Sequence, residues 1–105
     1  MGWFYLLFAG VFEVAFTTSL KYTEGFTSLA PSLIFAVAYA ASAWFLAKSI
    51  QTIPLGTAYA VWTGIGVIGT AMVGVMVFGE PATALRLLFL GFILAGVIGL
   101  KVVAE

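Results

Sequence analysis

Residues 1–20, MGWFYLLFAGVFEVAFTTSL, form an apolar stretch that contains one carboxylate, Glu13. An α-helix needs about 20 mostly apolar residues to cross the hydrocarbon core of a bilayer, and this stretch has that length. The other charged residues of the chain lie near the ends of apolar runs, whereas Glu13 lies inside one. A carboxylate in hydrocarbon is costly and usually serves a function. The stretch therefore predicts a first transmembrane helix that carries a functional carboxylate.

The composition of the whole chain is that of an integral membrane protein. Of its 105 residues, 64% are hydrophobic and 8% are charged, and the mean hydropathy is +1.22. Soluble domains are about 25% charged. Four basic residues balance four acidic ones, so no nucleic-acid partner is predicted. Because the sequence has no cysteine and no histidine, it excludes disulfides, imidazole chemistry and the usual zinc sites, and we predict no cofactor and no bound metal.

Polar breaks between the apolar runs predict an all-α protein with four transmembrane helices in one domain, residues 1–105. The expected helices are 2–20, 29–49, 56–78 and 84–103. The first lacks the basic start of a signal peptide, so we expect it to be retained. Short connections predict an up-and-down bundle with both termini on one side of the membrane.

The basic residues are divided equally between the two sides of this bundle. Lys48 and Lys101 lie on the side of the termini and the second loop, and Lys21 and Arg86 lie on the opposite side. The positive-inside rule therefore gives no preferred orientation. One interpretation is that the chain inserts both ways and forms antiparallel pairs. The other is that four charges are too few to decide.

A stripe of small residues on the fourth helix predicts a dimer contact. Gly91, Ala95 and Gly99 are spaced four residues apart, with Gly96 beside them. Small residues at this spacing allow helices to approach closely in lipid. The alternative is a chance stripe, since glycine and alanine are common in membrane helices.

Helical spacing groups candidate site residues around Glu13. Gly10, Phe16 and Thr17 share its face of the first helix. Two further groups are Tyr39 with Ser42 on the second helix, and Tyr59, Trp62, Thr63 and Gly66 on the third. Such aromatics either belong to the interfacial belts or present cation–π faces to a desolvated cation.

The predicted chemistry follows from the position of Glu13, about 17 Å along a helix that crosses a ~30 Å core. In a dimer Glu13 would face its own copy, and the two carboxyl groups would titrate as a coupled unit. Such a pair can hold either protons or a cation, and this competition links proton entry to cation exit. The alternative is an inert, protonated Glu13 hydrogen-bonded to a neighbour.

Several segments together resemble the small multidrug resistance transporters over essentially the whole chain. They are FEV at 12–14, KYTEGFT at 21–27, PS at 31–32 and PLGTAYAVWTGIG at 54–66. The resemblance implies an antiparallel, dual-topology homodimer in the bacterial inner membrane. It also implies that Glu13 from both subunits binds protons and cationic substrate in alternation.

The resemblance also assigns roles to single residues. Tyr59 and Trp62 match the family's binding-site aromatics, and Ser42 matches a polar position near the carboxylates. Gly64 and Gly66 match a bend in the third helix that accompanies the exchange of inward-open and outward-open forms. The small residues of the fourth helix that match the family's dimer contact are Gly91 and Gly96.

The sequence combines features of two subtypes of this family. Residues 59–66, Gly10 and GLK at 99–101 resemble the guanidinium exporters, which usually carry tryptophan where this chain has Phe16. Thr17, Thr18 and Tyr39 resemble the exporters of quaternary ammonium and lipophilic cations. Phe16 lacks an indole N–H donor, which favours hydrophobic cations at least as much as guanidinium.

The predicted function is proton-coupled antiport of small organic cations. One alternative is a passive dual-topology ion channel, which needs no buried titratable group. Another is a non-transporting partner subunit of a heterodimeric exporter, for which each half should carry a fixed charge bias. An enzyme is not predicted, because the chain offers no second buried acid, histidine, cysteine or metal cluster to support catalysis.

Overall fold

The computed structural model describes residues 1–104 and folds them into four α-helices with no strand. The helices are α1 (Gly2–Leu20), α2 (Leu29–Ser49), α3 (Leu55–Val77) and α4 (Ala84–Ala104). Each contains a span long and apolar enough to cross a membrane. The expectation of an all-α, four-helix membrane protein is confirmed, and the chain is a multi-pass membrane protein.

The helix bounds lie within one residue of the expected positions, and the small differences at α3 have local causes. The carbonyl of Pro54 accepts the first hydrogen bond of α3, from the N–H of Ala58 at 2.9 Å, so the helix begins at Leu55. At the other end the carbonyl of Gly74 accepts from the N–H groups of both Phe78 and Glu80. Gly79 has a positive φ of 67°, a conformation that favours glycine, and the chain turns there.

The four helices contribute unequally to the bundle. α1 packs against both α2 and α3, whereas the backbone of α4 comes close only to α3 among the described residues. One side chain of α4 also reaches α1, where the Nζ atom of Lys101 lies 5.3 Å from the centre of the Trp3 ring. None of the residues in the apolar span of α4 is buried within the chain. α1 is therefore the central helix, and most of the α4 surface faces outward.

The best-packed apolar cluster lies at the end of the bundle that holds the N-terminus and the second loop. It contains Leu6, Ile53, Ala58 and Val61, each less than 5% exposed. Glu13 lies about ten ångströms further along α1 than Leu6, at ~1.5 Å per residue. The carboxylate therefore lies beyond this cluster, towards the first and third loops.

Candidate functional site

Glu13 lies where α1 crosses α3. Its carboxyl group packs directly over Gly66, and a Cβ atom at residue 66 would overlap it. The Oε1 atom is buried and has no hydrogen-bond partner among residues 1–104. Gly66 thus creates the space for the carboxyl group, and that group keeps an acceptor available for a proton or a cation.

A cavity of about 400 Å³ opens beside this carboxyl group, between α1, α3 and the start of α4. Thr17 lines it one turn along α1 from Glu13, and Thr70 lines it one turn along α3 from Gly66. Glu80 and Arg86 line its far end, where an Arg86 Nη donates to Glu80 Oε1 at 2.8 Å. The remaining lining residues are Gly66, Val67, Ala71 and Leu90.

Ser42 joins three helices through a single hydroxyl group. Its Oγ donates to the carbonyl of Ala9 on α1 at 2.7 Å and accepts the indole N–H of Trp62 on α3 at 2.9 Å. The side chain is fully buried. Ser42 therefore fixes the orientation of the Trp62 indole relative to α1.

Tyr59 and Trp62 form an aromatic pair on α3. Trp62 lies one turn before Gly66, the residue over which the Glu13 carboxyl group packs. The ring centroids of the pair are 5.6 Å apart at an angle of 51°, and Tyr59 is 57% exposed on the single chain. Thr63 lies beside them with a buried Oγ1 that has no partner among the described residues. This surface offers aromatic faces, whereas the Thr63 hydroxyl group beside them is buried.

Phe16 and Tyr39 belong to a separate aromatic group between α1 and α2. Their ring centroids are 5.1 Å apart, and the Phe16 ring also lies nearly perpendicular to that of Phe35, with 5.5 Å between the centroids. Neither Phe16 nor Tyr39 lines the cavity beside Glu13. Of the residues predicted around Glu13, Thr17 and Gly66 therefore line that cavity, and the others lie outside it.

Three of the predicted glycines serve close packing within the chain. Gly10 faces the side chain of Ile65, Gly64 faces that of Val97 on α4, and Gly66 faces Glu13. α3 is a continuous helix through Gly64 and Gly66. Their predicted role as a bend stays a prediction.

The small-residue stripe of α4 has no counterpart within the chain. Nothing would meet a Cβ atom at Gly91, Gly96 or Gly99, and Ala95 is exposed. The stripe is thus uncovered in a single chain, and the dimer contact stays a prediction.

Sequence reasoning missed the three other polar residues of the cavity, namely Thr70, Glu80 and Arg86. Thr70 follows Gly66 by four residues, so helical spacing alone could have placed it on the Glu13 side of α3. Glu80 and Arg86 had no such signal, because the path of the third loop brings them over α3. Within residues 1–104 no cluster of three or more metal-ligating side chains occurs.

Comparison with known proteins supplies a family and named relatives. The model of the family described as Small Multidrug Resistance protein matches residues 1–93. A guanidinium exporter from Yersinia pseudotuberculosis is 54% identical over 101 residues, which cover 96% of this chain and 97% of that protein. A guanidinium exporter from Citrobacter freundii is 52% identical with 96% of each chain covered, and one from Salmonella typhimurium is 50% identical over both full lengths.

Proposed function

Because the chain belongs to the small multidrug resistance family, we propose that it is a proton-coupled antiporter that exports small organic cations across the bacterial inner membrane. The observation that carries this proposal is the carboxyl group of Glu13, which lies inside a membrane helix with a buried oxygen that no other described residue binds. An intramembrane carboxylate with a free acceptor is suited to bind a proton or a cation. The names of the relatives support a transporter over an enzyme.

Coupling follows if proton and cation use the same carboxyl group. A bound proton neutralises Glu13 and removes its attraction for a cation, and a bound cation likewise excludes the proton. Each time the binding site changes the side of the membrane to which it opens, it then carries either a proton or a cation. Substrate affinity should fall as pH falls, because protons compete for Glu13.

The working unit in this proposal is an antiparallel, dual-topology homodimer. Equal numbers of basic residues on the two sides of the membrane support insertion in both orientations. The uncovered stripe of small residues on α4 supports a helix–helix contact between two such copies. Both copies of Glu13 would then serve one shared binding site.

Guanidinium-type compounds are the substrates that we propose first, with quaternary ammonium and lipophilic cations as the alternative. The relatives named guanidinium exporters support the first class. A guanidinium ion is planar and carries N–H donors, which suit bidentate binding to a carboxylate. The rings of Tyr59 and Trp62 present cation–π faces that suit either class.

Transport by reconstituted protein tests the proposal. Proton-coupled currents should appear when guanidinium is added to liposomes that contain the parent protein, and Glu13→Gln should abolish them. The matched control is Glu24→Gln, which removes the exposed carboxylate of the first loop and should leave the currents unchanged.

Two further arms separate the alternatives. Tetraethylammonium in place of guanidinium distinguishes the substrate classes by the size of the current. Guanidinium binding to the parent protein should weaken as pH is lowered, whereas pH-independent binding, or full transport by Glu13→Gln, would contradict competition at this carboxyl group.

A further inference from the structure

The cavity beside Glu13 extends along one face of α3 to a second carboxylate. Gly66 contacts the Glu13 carboxyl group, Thr70 lines the cavity, and Gly74 contacts the carboxylate of Glu80. These three α3 residues are spaced four apart, so the face spans about 12 Å at ~1.5 Å per residue. The two carboxyl groups therefore lie at opposite ends of one cavity, with a threonine midway.

Two polar atoms beside this cavity lack hydrogen-bond partners among the described residues. Glu13 Oε1 and Thr70 Oγ1 are both buried and accept or donate no hydrogen bond among residues 1–104. Buried polar groups in proteins are almost always hydrogen-bonded, to protein or to ordered water. The cavity's 400 Å³ is many times the ~30 Å³ that one water occupies. Neither oxygen is in contact with the cavity as the side chains stand, and rotation of the two side chains towards it would allow a bridging water to satisfy both groups.

The far end of the cavity is charged and partly open. The side chains of Arg86 and Glu80 are 34% and 42% exposed, and their ion pair lies at the third loop. Arg86 also donates to the carbonyl of Pro81 at 3.1 Å, and its backbone N–H donates to the Thr83 hydroxyl at the start of α4. The loop thus holds the ion pair at the cavity's outer end.

We propose that this cavity is a water-filled proton pathway to Glu13, with Thr70 as the residue that positions the water and Glu80 with Arg86 as its outer entrance. The inference rests on the proposed exchange of protons and cations at Glu13. A proton enters from water at the Glu80 end, passes along hydrogen-bonded water past Thr70, and adds to the Glu13 carboxylate to give the neutral acid. After the site has changed sides, the proton returns to water on the opposite side of the membrane when a cation displaces it.

Protons and cations would reach Glu13 from different directions. The pathway is lined by Thr17, Thr70 and the ion pair, whereas the aromatic pair Tyr59 and Trp62 lies outside it. A change in the pathway should therefore alter the rate of proton transfer and leave the binding of the cation unchanged. This separation is the property that the test exploits.

Thr70→Val tests the pathway, because valine keeps the shape of threonine and removes the hydroxyl group. In proteoliposomes with a pH-sensitive dye inside, guanidinium should drive proton flux about tenfold more slowly than in the parent, since a positioned proton-transfer group is lost while water still bridges part of the gap. The solvent deuterium isotope effect on this flux should rise. Equilibrium affinity for guanidinium should stay within about twofold, because the pathway only sets a rate.

Thr18→Val is the matched control. Thr18 also carries a buried hydroxyl group without a partner among the described residues, on α1, but it does not line the cavity. Flux through this variant should equal that of the parent. An unchanged flux in Thr70→Val would overturn the pathway, and so would an equal loss in both threonine variants.

The entrance is tested by Glu80→Gln against Glu24→Gln, which alters another exposed carboxylate on the same side of the bundle. Only Glu80→Gln should slow proton flux, and equal flux in both would refute the role of Glu80. Glu13→Gln, measured in the same experiment, distinguishes failure of the proposed function from failure of the pathway. If Glu13→Gln transports like the parent, the proposed function is wrong. If Glu13→Gln is inactive and Thr70→Val has normal proton flux, only the pathway is wrong.

Discussion

At the scale of single residues, the hydroxyl group of Ser42 makes two hydrogen bonds, each to a different helix. It donates to Ala9 and accepts from Trp62, so one small side chain connects α1, α2 and α3. Its replacement leaves the indole N–H of Trp62 without its acceptor. Because Trp62 belongs to the proposed cation surface, the loss should affect both stability and binding.

Ser42→Ala should lower the free energy of unfolding by about 1 kcal/mol, the size expected for a hydrogen bond between membrane helices. Guanidinium affinity should fall as well, because the indole of Trp62 is no longer held in place. Unfolding in mixed micelles measures the first effect, and a binding titration measures the second.

The control is Ser32→Ala on the same helix. The Ser32 hydroxyl group donates to the carbonyl of Ser28, the residue just before α2, and contacts no other helix in this way among the described residues. This variant should retain guanidinium affinity. In addition, the effects of Ser42→Ala and Trp62→Phe should not add in the double variant, and additive effects would mean that the hydrogen bond contributes nothing.

Spacing along one helix accounts for some of the residues that line the cavity, but it also groups with Glu13 a residue that lies elsewhere. The spacing of α1 brings Thr17 to the Glu13 cavity, and that of α3 brings Gly66 there. Phe16 also shares the Glu13 face by spacing, yet its ring packs on Tyr39 between α1 and α2. The difference arises because ring orientation depends on the neighbouring helix, which spacing along one helix does not specify.

At the scale of helices, the contact between α3 and α4 depends on one glycine. Gly64 leaves room for the side chain of Val97, and a Cβ atom at residue 64 would overlap it. No other helix backbone comes close to that of α4 among the described residues, although Lys101 on α4 lies over the Trp3 ring of α1. A change at this contact should therefore affect the attachment of α4 more than the rest of the bundle.

Gly64→Ala should destabilise the protein by about 1–2 kcal/mol, because overpacking a tight contact costs more than the helix propensity that alanine gains. The paired change Gly64→Ala with Val97→Ala should recover most of this loss, since the valine methyl groups that would clash are removed. Thermal unfolding in detergent measures both.

Gly56→Ala provides the control on the same helix. A Cβ atom there would meet nothing within 4 Å, so alanine should be neutral or stabilising by up to about 1 kcal/mol. If Gly64→Ala behaves like Gly56→Ala, the close contact between Gly64 and Val97 does not limit stability.

The helices themselves were predictable from the sequence, because long apolar runs and polar breaks determine spans of this length. The path of the third loop was not. Its turn at Gly79 places the carboxylate of Glu80 over Gly74 on α3 and against Arg86 on α4. Periodicity along a helix does not predict such contacts of a loop residue. The outer end of the Glu13 cavity was therefore found only in the structure.

At the scale of the whole molecule, the balance of basic residues governs how many orientations the chain can adopt. Lys48 and Lys101 on one side oppose Lys21 and Arg86 on the other. With no excess on either side, insertion in both orientations is expected, and a reporter at the C-terminus should give signals from both sides of the membrane.

Shifting this balance should fix the orientation and abolish transport. Gln51→Lys with Lys21→Gln leaves three basic residues on the side of the termini (Lys48, the new lysine and Lys101) against one on the other (Arg86). Ala82→Lys with Lys48→Gln gives the opposite bias, with Lys21, the new lysine and Arg86 against Lys101. Residues 51 and 82 are exposed loop positions, so the substitutions should not disturb packing.

Each variant alone should insert one way and confer no guanidinium export, because an antiparallel dimer requires both orientations. Co-expression of the two should restore export, since each supplies the orientation that the other lacks. The C-terminal reporter and a guanidinium tolerance assay in the same cells measure orientation and function together. Full export by a variant that inserts in one orientation alone would show that parallel chains suffice, and the shared site would then have to be built from two copies of Glu13 in a parallel arrangement.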